Sequence, residues 1–234
     1  MAETQVVQQR ARELLALPLD GGRSDLFLWE HSARVAHNAS CACQYPELAD
    51  ANIDRLALSA GALFHEVGWA VQARRGRVAA WQLLTCPASA QQLGLAAASL
   101  ADTLADALPE RSLQRAGQAL LQMRQRDPDR VEASILADAD NLDEFGPLLW
   151  CREARRCALG ERSAEQVLRS WQRQREYHYW EARINESFRF ERSKELARQR
   201  LATMKRFMDE LTRQYKGEDI GQLIAQHHES QLPH

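Results

Sequence analysis

Charged and ligand-bearing side chains occupy the places in this sequence where a helical chain should be most apolar. Leu56, Ala60 and Leu63 follow one another at three- and four-residue steps, which trace one face of a helix, and the next position on that face is Glu66. Leu28, His31, Val35, Ala39 and Ala42 form a second such stripe, with an imidazole inside it. A third holds Leu136, Asp140 and Asp143, beside a face made of Ile135, Ala139 and Leu142. A carboxylate buried without compensation must neutralise itself, pair with a cation or ligate a metal, because the uncompensated charge is too costly to bury. A lone histidine on an apolar face is commonly a satisfied core residue. Three such positions in one chain instead ask for a shared partner.

The same periodicity sets the fold class. Residues 5–17 read as a first helix, stopped by Pro18 and Asp20-Gly21-Gly22. Ser24 or Asp25 can cap a second helix that runs through His31 to about Cys43. Asp50 or Asn52 caps a third, which Gly68 ends just after His65-Glu66. Residues 78–84 form a short helix before Pro87, and further helices follow over 88–108, 111–125 and 130–143. Leu201, Met204, Met208 and Leu211 recur at helical spacing, predicting a long C-terminal helix packed on the body or on a second subunit, which would make a homodimer. No alternating run is long enough for a sheet, so the expected class is all-α. Domain organisation follows from this: one helical domain over 1–215, of which 161–215 is an extension packed on it, and a polar, flexible tail over 216–234 that includes His227-His228.

Composition excludes several functions. The formal net charge of -2 gives no global field for nucleic acid or anionic membrane. Nothing approaches the roughly 20 apolar residues of a spanning helix, and Glu3, Arg10, Arg12 and Glu13 interrupt any signal-like core. The expected localisation is cytoplasmic. Five cysteines without a Cys-x-x-Cys agree with a reducing compartment. Between 161 and 206 basic residues interleave with Trp171, Tyr177, Tyr179, Trp180, Phe188 and Phe190, a pattern that could bind single strands, but the helical stripe argues for a packed helix instead.

The pieces Trp29-Glu30-His31-Ser32-Ala33-Arg34-Val35-Ala36, Leu63-Phe64-His65-Glu66-Val67-Gly68 and Ala137-Asp138-Ala139-Asp140-Asn141-Leu142-Asp143 together resemble the HD superfamily of metal-dependent phosphohydrolases, over roughly residues 20 to 212. The eponymous His-Asp is His-Glu here, and histidine is absent between positions 66 and 177, where many relatives carry more. The resemblance implies a single HD-domain-like helical bundle and a mononuclear centre. His31, His65, Glu66 and Asp140 would hold one divalent ion, of Mn, Fe, Co, Ni, Mg or Zn. It implies hydrolysis of a small phosphorylated substrate such as a nucleotide, by water that the metal activates. Asp143, and then Asp138, are the candidate catalytic residues as proton acceptor or orienting group. Arg34, Arg74 and Arg75 are the candidate phosphate contacts. The alternative from another class is an HD-like protein without catalysis, acting as a regulatory binding module.

Overall fold

A computed structural model describes residues 2–229. Helices α1 (Ala2–Leu15), α2 (Phe27–Ala42), α3 (Arg55–Phe64), α4 (Val67–Arg74), α5 (Ala90–Leu104), α6 (Glu110–Gln122) and α7 (Val131–Asp143) surround one apolar core that includes Val7, Leu28, Val35, Phe64, Leu100, Leu120 and Ile135. The chain continues through α8 (Leu148–Ala158), α9 (Ala164–Glu176), α10 (Tyr179–Ser187), α11 (Glu191–Tyr215) and α12 (Glu218–Glu229). Among the described residues extended pairing is confined to the two-residue strands β1 (Leu17–Pro18) and β2 (Ser24–Asp25), with Leu17 opposite Asp25. The class is all-α, as the periodicity predicts.

Helix α7 is the axis of the molecule. Every residue from Ile135 to Asp143 is buried, so this helix has no solvent face to spend on polar groups. Leu136 and Ala139 belong to the first core, whereas Leu142 joins a second one with Phe145, Trp171, Trp180, Ile184, Met204 and Met208. Trp171, Trp180 and Phe188 are therefore interior packing, and the Leu201, Met204, Met208 stripe finds its cover within the chain. The polar groups of α7 fasten it to its neighbours. Glu132 pairs with Arg115 and accepts the Asp54 N–H at 2.8 Å, tying α7 to α6 and to the start of α3. Asn141 donates to the Ser187 carbonyl at 3.0 Å, at the end of α10.

Several boundaries differ from those expected, each for a local reason. Asp54, not Asp50 or Asn52, caps α3, accepting from Leu56 and Ala57 at 3.1 and 2.9 Å. Helix α3 ends at Phe64, and α4 begins at Val67 and runs through Gly68. The glycine serves a close approach instead of a helix stop: a β-carbon there would lie 2.1 Å from the Gln92 carbonyl oxygen and 2.8 Å from its Cα. Residues 78–84 hold only a single turn at Ala80–Gln82, after which Leu84 takes a left-handed backbone with φ 58°. The segment expected as a flexible tail forms α12, with Ile220 and Leu223 exposed; residues 230–234 lie outside the described part.

Gly68→Ala forces backbone against backbone where α4 meets α5, so it is expected to destabilise the protein by about 1–3 kcal/mol. Urea unfolding of the variant beside the parent measures this, and an unchanged midpoint would contradict the packing described.

Candidate metal centre

Three separate pieces of chain deliver the cluster. His31 lies in the second turn of α2, Asp140 and Asp143 in the last turn of α7, and His65 and Glu66 occupy the break between α3 and α4. Glu66 sits there with φ -99° and ψ 3°, outside helical geometry, so its longer side chain leaves from a bend rather than from a regular turn. All four expected ligands are buried, and one donor atom from each falls within 4.8 Å of the others.

Hydrogen bonds at the far side of each ring fix where the lone pairs point. His65 donates from Nδ1 to the Ala62 carbonyl at 2.7 Å, which leaves its Nε2 as the bare nitrogen. His31 donates from Nδ1 to Asp143 Oδ2 at 2.7 Å, and its Nε2 stands 3.1 Å from that of His65. Glu66 Oε1 lies 3.3 Å from His65 Nε2 and 3.8 Å from His31 Nε2, and Asp140 Oδ1 lies 3.6 and 3.3 Å from the same atoms. Donors about 2.0–2.2 Å from a common ion stand roughly 3 to 4 Å from one another. The buried Glu66 Oε2 has no hydrogen-bond partner at all. Two imidazole nitrogens and two carboxylate oxygens, all buried and within 4.8 Å of one another, are a donor set that fits a divalent cation, and Glu66 keeps a second oxygen without a hydrogen-bond partner.

Arginines balance the acids around this point. Arg124, just beyond α6, donates to Asp140 Oδ2 at 2.7 Å and leaves Oδ1 for the cluster. Arg34 grips Asp143 through Nε and Nη2 at 2.8 and 3.0 Å. Burial opposes ionisation of Asp140 and Asp143, but Arg124 and the histidines hold the first well below the usual carboxylate range, and His31 and Arg34 hold the second below it. Burial likewise opposes charge on His31, yet Asp140 and Asp143 outweigh it and raise the imidazole above its ordinary value of 6.5.

The other expected residues fall elsewhere. Asp138 is buried away from the cluster, where its oxygens accept the N–H groups of Arg189 and Phe190 at 3.0 to 3.2 Å as α11 begins. Burial pushes its carboxyl up. Arg74 donates to the Glu13 and Ala16 carbonyls at 3.0 and 3.1 Å, closing the end of α1, and Arg75 is exposed. Arg34 is ion-paired with Asp143 and not with Glu30. The residues that approach the acids instead are Arg124 and Arg152. Both line a cavity of about 1190 Å³ that also meets Arg183, Trp150, Tyr179 and Phe188. Arg124 follows Gln122 and Met123 in the interval that lacks histidine, whereas nothing local distinguishes Arg152 among its neighbours in the run Arg152-Glu153-Ala154-Arg155-Arg156.

No protein-family profile and no curated protein matches the sequence. Solved structures do. A protein described as a predicted HD superfamily hydrolase, from an uncultured Thermotogales bacterium, aligns at 17% identity over 90% of this chain and 92% of its own, with a TM-score of 0.53. Bacillus subtilis YpgQ in complex with ADP aligns at 16% identity over 91% and 95%, with a TM-score of 0.55. A selenomethionine form of YpgQ aligns at 17% over 91% and 96%, with a TM-score of 0.56. These likenesses establish the fold: the chain shares its helical architecture with these proteins, one of which is described as a predicted HD superfamily hydrolase. Among the described residues no helix is long and apolar enough to cross a membrane.

Asp143→Asn removes the charge that holds His31 in the tautomer needed at Nε2, and is expected to weaken divalent-metal binding by about 10–100-fold. The pH dependence has a definite sign. In chelated protein the raised His31 pKa means that pairing with Asp140 and Asp143 stabilises fully below the ordinary imidazole range and is lost as pH rises through the folded value. A cation must displace that proton, so the rise in Tm caused by added metal should grow between about pH 6 and 8. A calorimetric titration of parent and variant, repeated across that window, checks both; equal affinities, or an increment that falls with pH, would contradict the geometry.

Proposed function

We propose that this chain is a mononuclear metal-dependent phosphohydrolase that cleaves the phosphate ester of a nucleotide or another small phosphorylated metabolite. The observation that carries the proposal is the convergence of His31, His65, Glu66 and Asp140 within 4.8 Å, with Glu66 Oε2 unpartnered. These four would hold the cation, from the Mn, Fe, Co, Ni, Mg and Zn group; a mixed nitrogen and oxygen set does not choose among them. Such an ion supplies Lewis acidity, lowering the pKa of a water and offsetting charge that builds on the phosphoryl group.

The chain's own residues do the rest. Asp143 orients His31, and because Arg34 and His31 hold its carboxyl ionised and below the usual carboxylate range, it suits a positioning role better than that of a proton acceptor. Asp138 fastens α11 and takes no part at the cluster. The arginines and aromatic side chains of the large cavity suit an anionic head attached to a flat ring, and the presence of ADP on YpgQ supports a nucleotide.

One observation favours the regulatory reading. Arg124 pairs with Asp140 and Arg34 with Asp143, Arg152 stands 3.5 Å from Asp143, and Glu66 faces only the histidines, so three guanidinium groups match the three carboxylates in number without any metal. The same balance leaves a loaded centre with two surplus positive charges, which a phosphate dianion would neutralise.

Metal analysis of tag-free protein, followed by a phosphatase and nucleotide screen with each candidate metal, separates the two. The phosphohydrolase reading predicts about one metal per chain and metal-dependent turnover, both lost in His65→Ala. Bound metal without turnover on any phosphate ester would favour the regulatory module, and absence of metal would remove the enzyme proposal.

A further inference from the structure

Arg152 approaches four groups and closes on none of them. Its Nη2 lies 3.3 Å from His31 Nδ1 and 3.5 Å from Asp143 Oδ2. Its Nη1 lies 3.5 Å from the Leu84 carbonyl oxygen and 3.6 Å from Glu144 Oε1. Charge-assisted hydrogen bonds run to about 2.7–2.9 Å, the range in which Arg124 holds Asp140 and Arg34 holds Asp143. The near partners of Arg152 are also taken. Asp143 Oδ2 already accepts from His31 and Arg34, Glu144 is paired with Arg183, and His31 Nδ1 is itself a donor.

Its surroundings make that lack of a close partner costly. The side chain is only 12% exposed, and a guanidinium so enclosed needs a close counter-charge. Arg152 lines the large cavity, which none of the four cluster residues does, and it reaches from that wall to His31 and Asp143. The carbonyl it faces belongs to Leu84, whose left-handed backbone is a conformation that L side chains seldom adopt. Strain of that kind persists where surrounding structure enforces it, commonly beside a ligand. Arg34 is differently placed: it borders a separate recess of about 370 Å³ with His37, Asn38 and Arg200, across Asp143 from Arg152.

We propose that Arg152 binds the phosphoryl group of the substrate at the boundary between the metal cluster and the large cavity, while Arg34 serves only to brace Asp143. The identity of the anion rests on the phosphohydrolase reading above; the placement of the cation rests on the contacts of Arg152 alone. A phosphate oxygen arriving from the cavity would give this guanidinium the close acceptor that the folded chain denies it.

The test is a titration of inorganic phosphate into purified full-length protein, with and without added divalent metal, for the parent, Arg152→Gln, Arg152→Lys and the remote control Arg74→Gln. Metal content and Tm are recorded for each. Arg152→Gln is expected to weaken phosphate binding about tenfold or more at unchanged metal content, Arg152→Lys to recover part of it, and Arg74→Gln to match the parent. Phosphate affinity that is unchanged in Arg152→Gln overturns the proposal, as does a parent that binds no phosphate. Loss of metal together with phosphate in both Arg152 variants also overturns it, since that pattern marks a residue that merely holds the cluster together. Absence of phosphate-ester hydrolysis in the parent would instead sink the hydrolase reading, leaving the phosphate titration to judge Arg152 by itself.

Discussion

Two imidazole nitrogens 3.1 Å apart, each with its far nitrogen committed to a hydrogen bond, set the terms for everything near them. With both rings neutral, the Ala62 carbonyl and Asp143 direct two lone pairs at one spot, where Glu66 and Asp140 add negative charge. No arrangement of these groups is comfortable in an apolar interior without a proton or a cation between them. The raised pKa of His31 is the proton's answer. A divalent ion is the other, and it would take Glu66 Oε1 and Asp140 Oδ1 together with the two imidazole nitrogens.

The rest of the molecule is arranged so that this spot exists. Helix α7 carries Asp140 and Asp143 into the centre, which is possible because its remaining faces are covered, by the first core on one side and by the second core on the other. Asp138, Asn141 and Glu132 then hold the helix in rotation and depth, each through contacts to a different neighbour. The break at His65 and Glu66 depends on α4 turning away immediately and lying against α5, and Gly68 is what permits that approach. Positioning by buried helices gives a cluster little freedom to relax, which suits a site whose donors must stay close while like charges repel.

The sequence disclosed the centre better than its surroundings. Polar residues on apolar stripes identify His31, Glu66 and Asp140 because a helical period converts spacing into direction, and a buried acid admits few explanations. The break between α3 and α4 was hidden, since Gly68 signals a helix stop in isolation and a close contact only once α5 is in place. Asp138 and Asp140 both interrupt an apolar helix, and the resemblance makes the first a catalytic candidate and the second a metal ligand; in the fold Asp140 faces the cluster and Asp138 faces the start of α11. Arginines were the least legible. Arg34, Arg74 and Arg75 stand near the ligands in sequence, whereas Arg124 and Arg152 come to the acids through tertiary packing that no local pattern encodes. The helical stripe after 161 points to a packed helix rather than a binding surface, and Trp171, Trp180 and Phe188 lie in the second core.

The central claim is that the buried acids and imidazoles share one cation. Crystals of metal-loaded protein, measured on both sides of the absorption edge of the ion supplied, test it directly. The account predicts a single anomalous peak per chain, enclosed by His31 Nε2, His65 Nε2, Glu66 and Asp140 Oδ1. A difference map without that peak, or one showing the ion elsewhere while the Glu66 carboxyl turns away from the histidines, would contradict it.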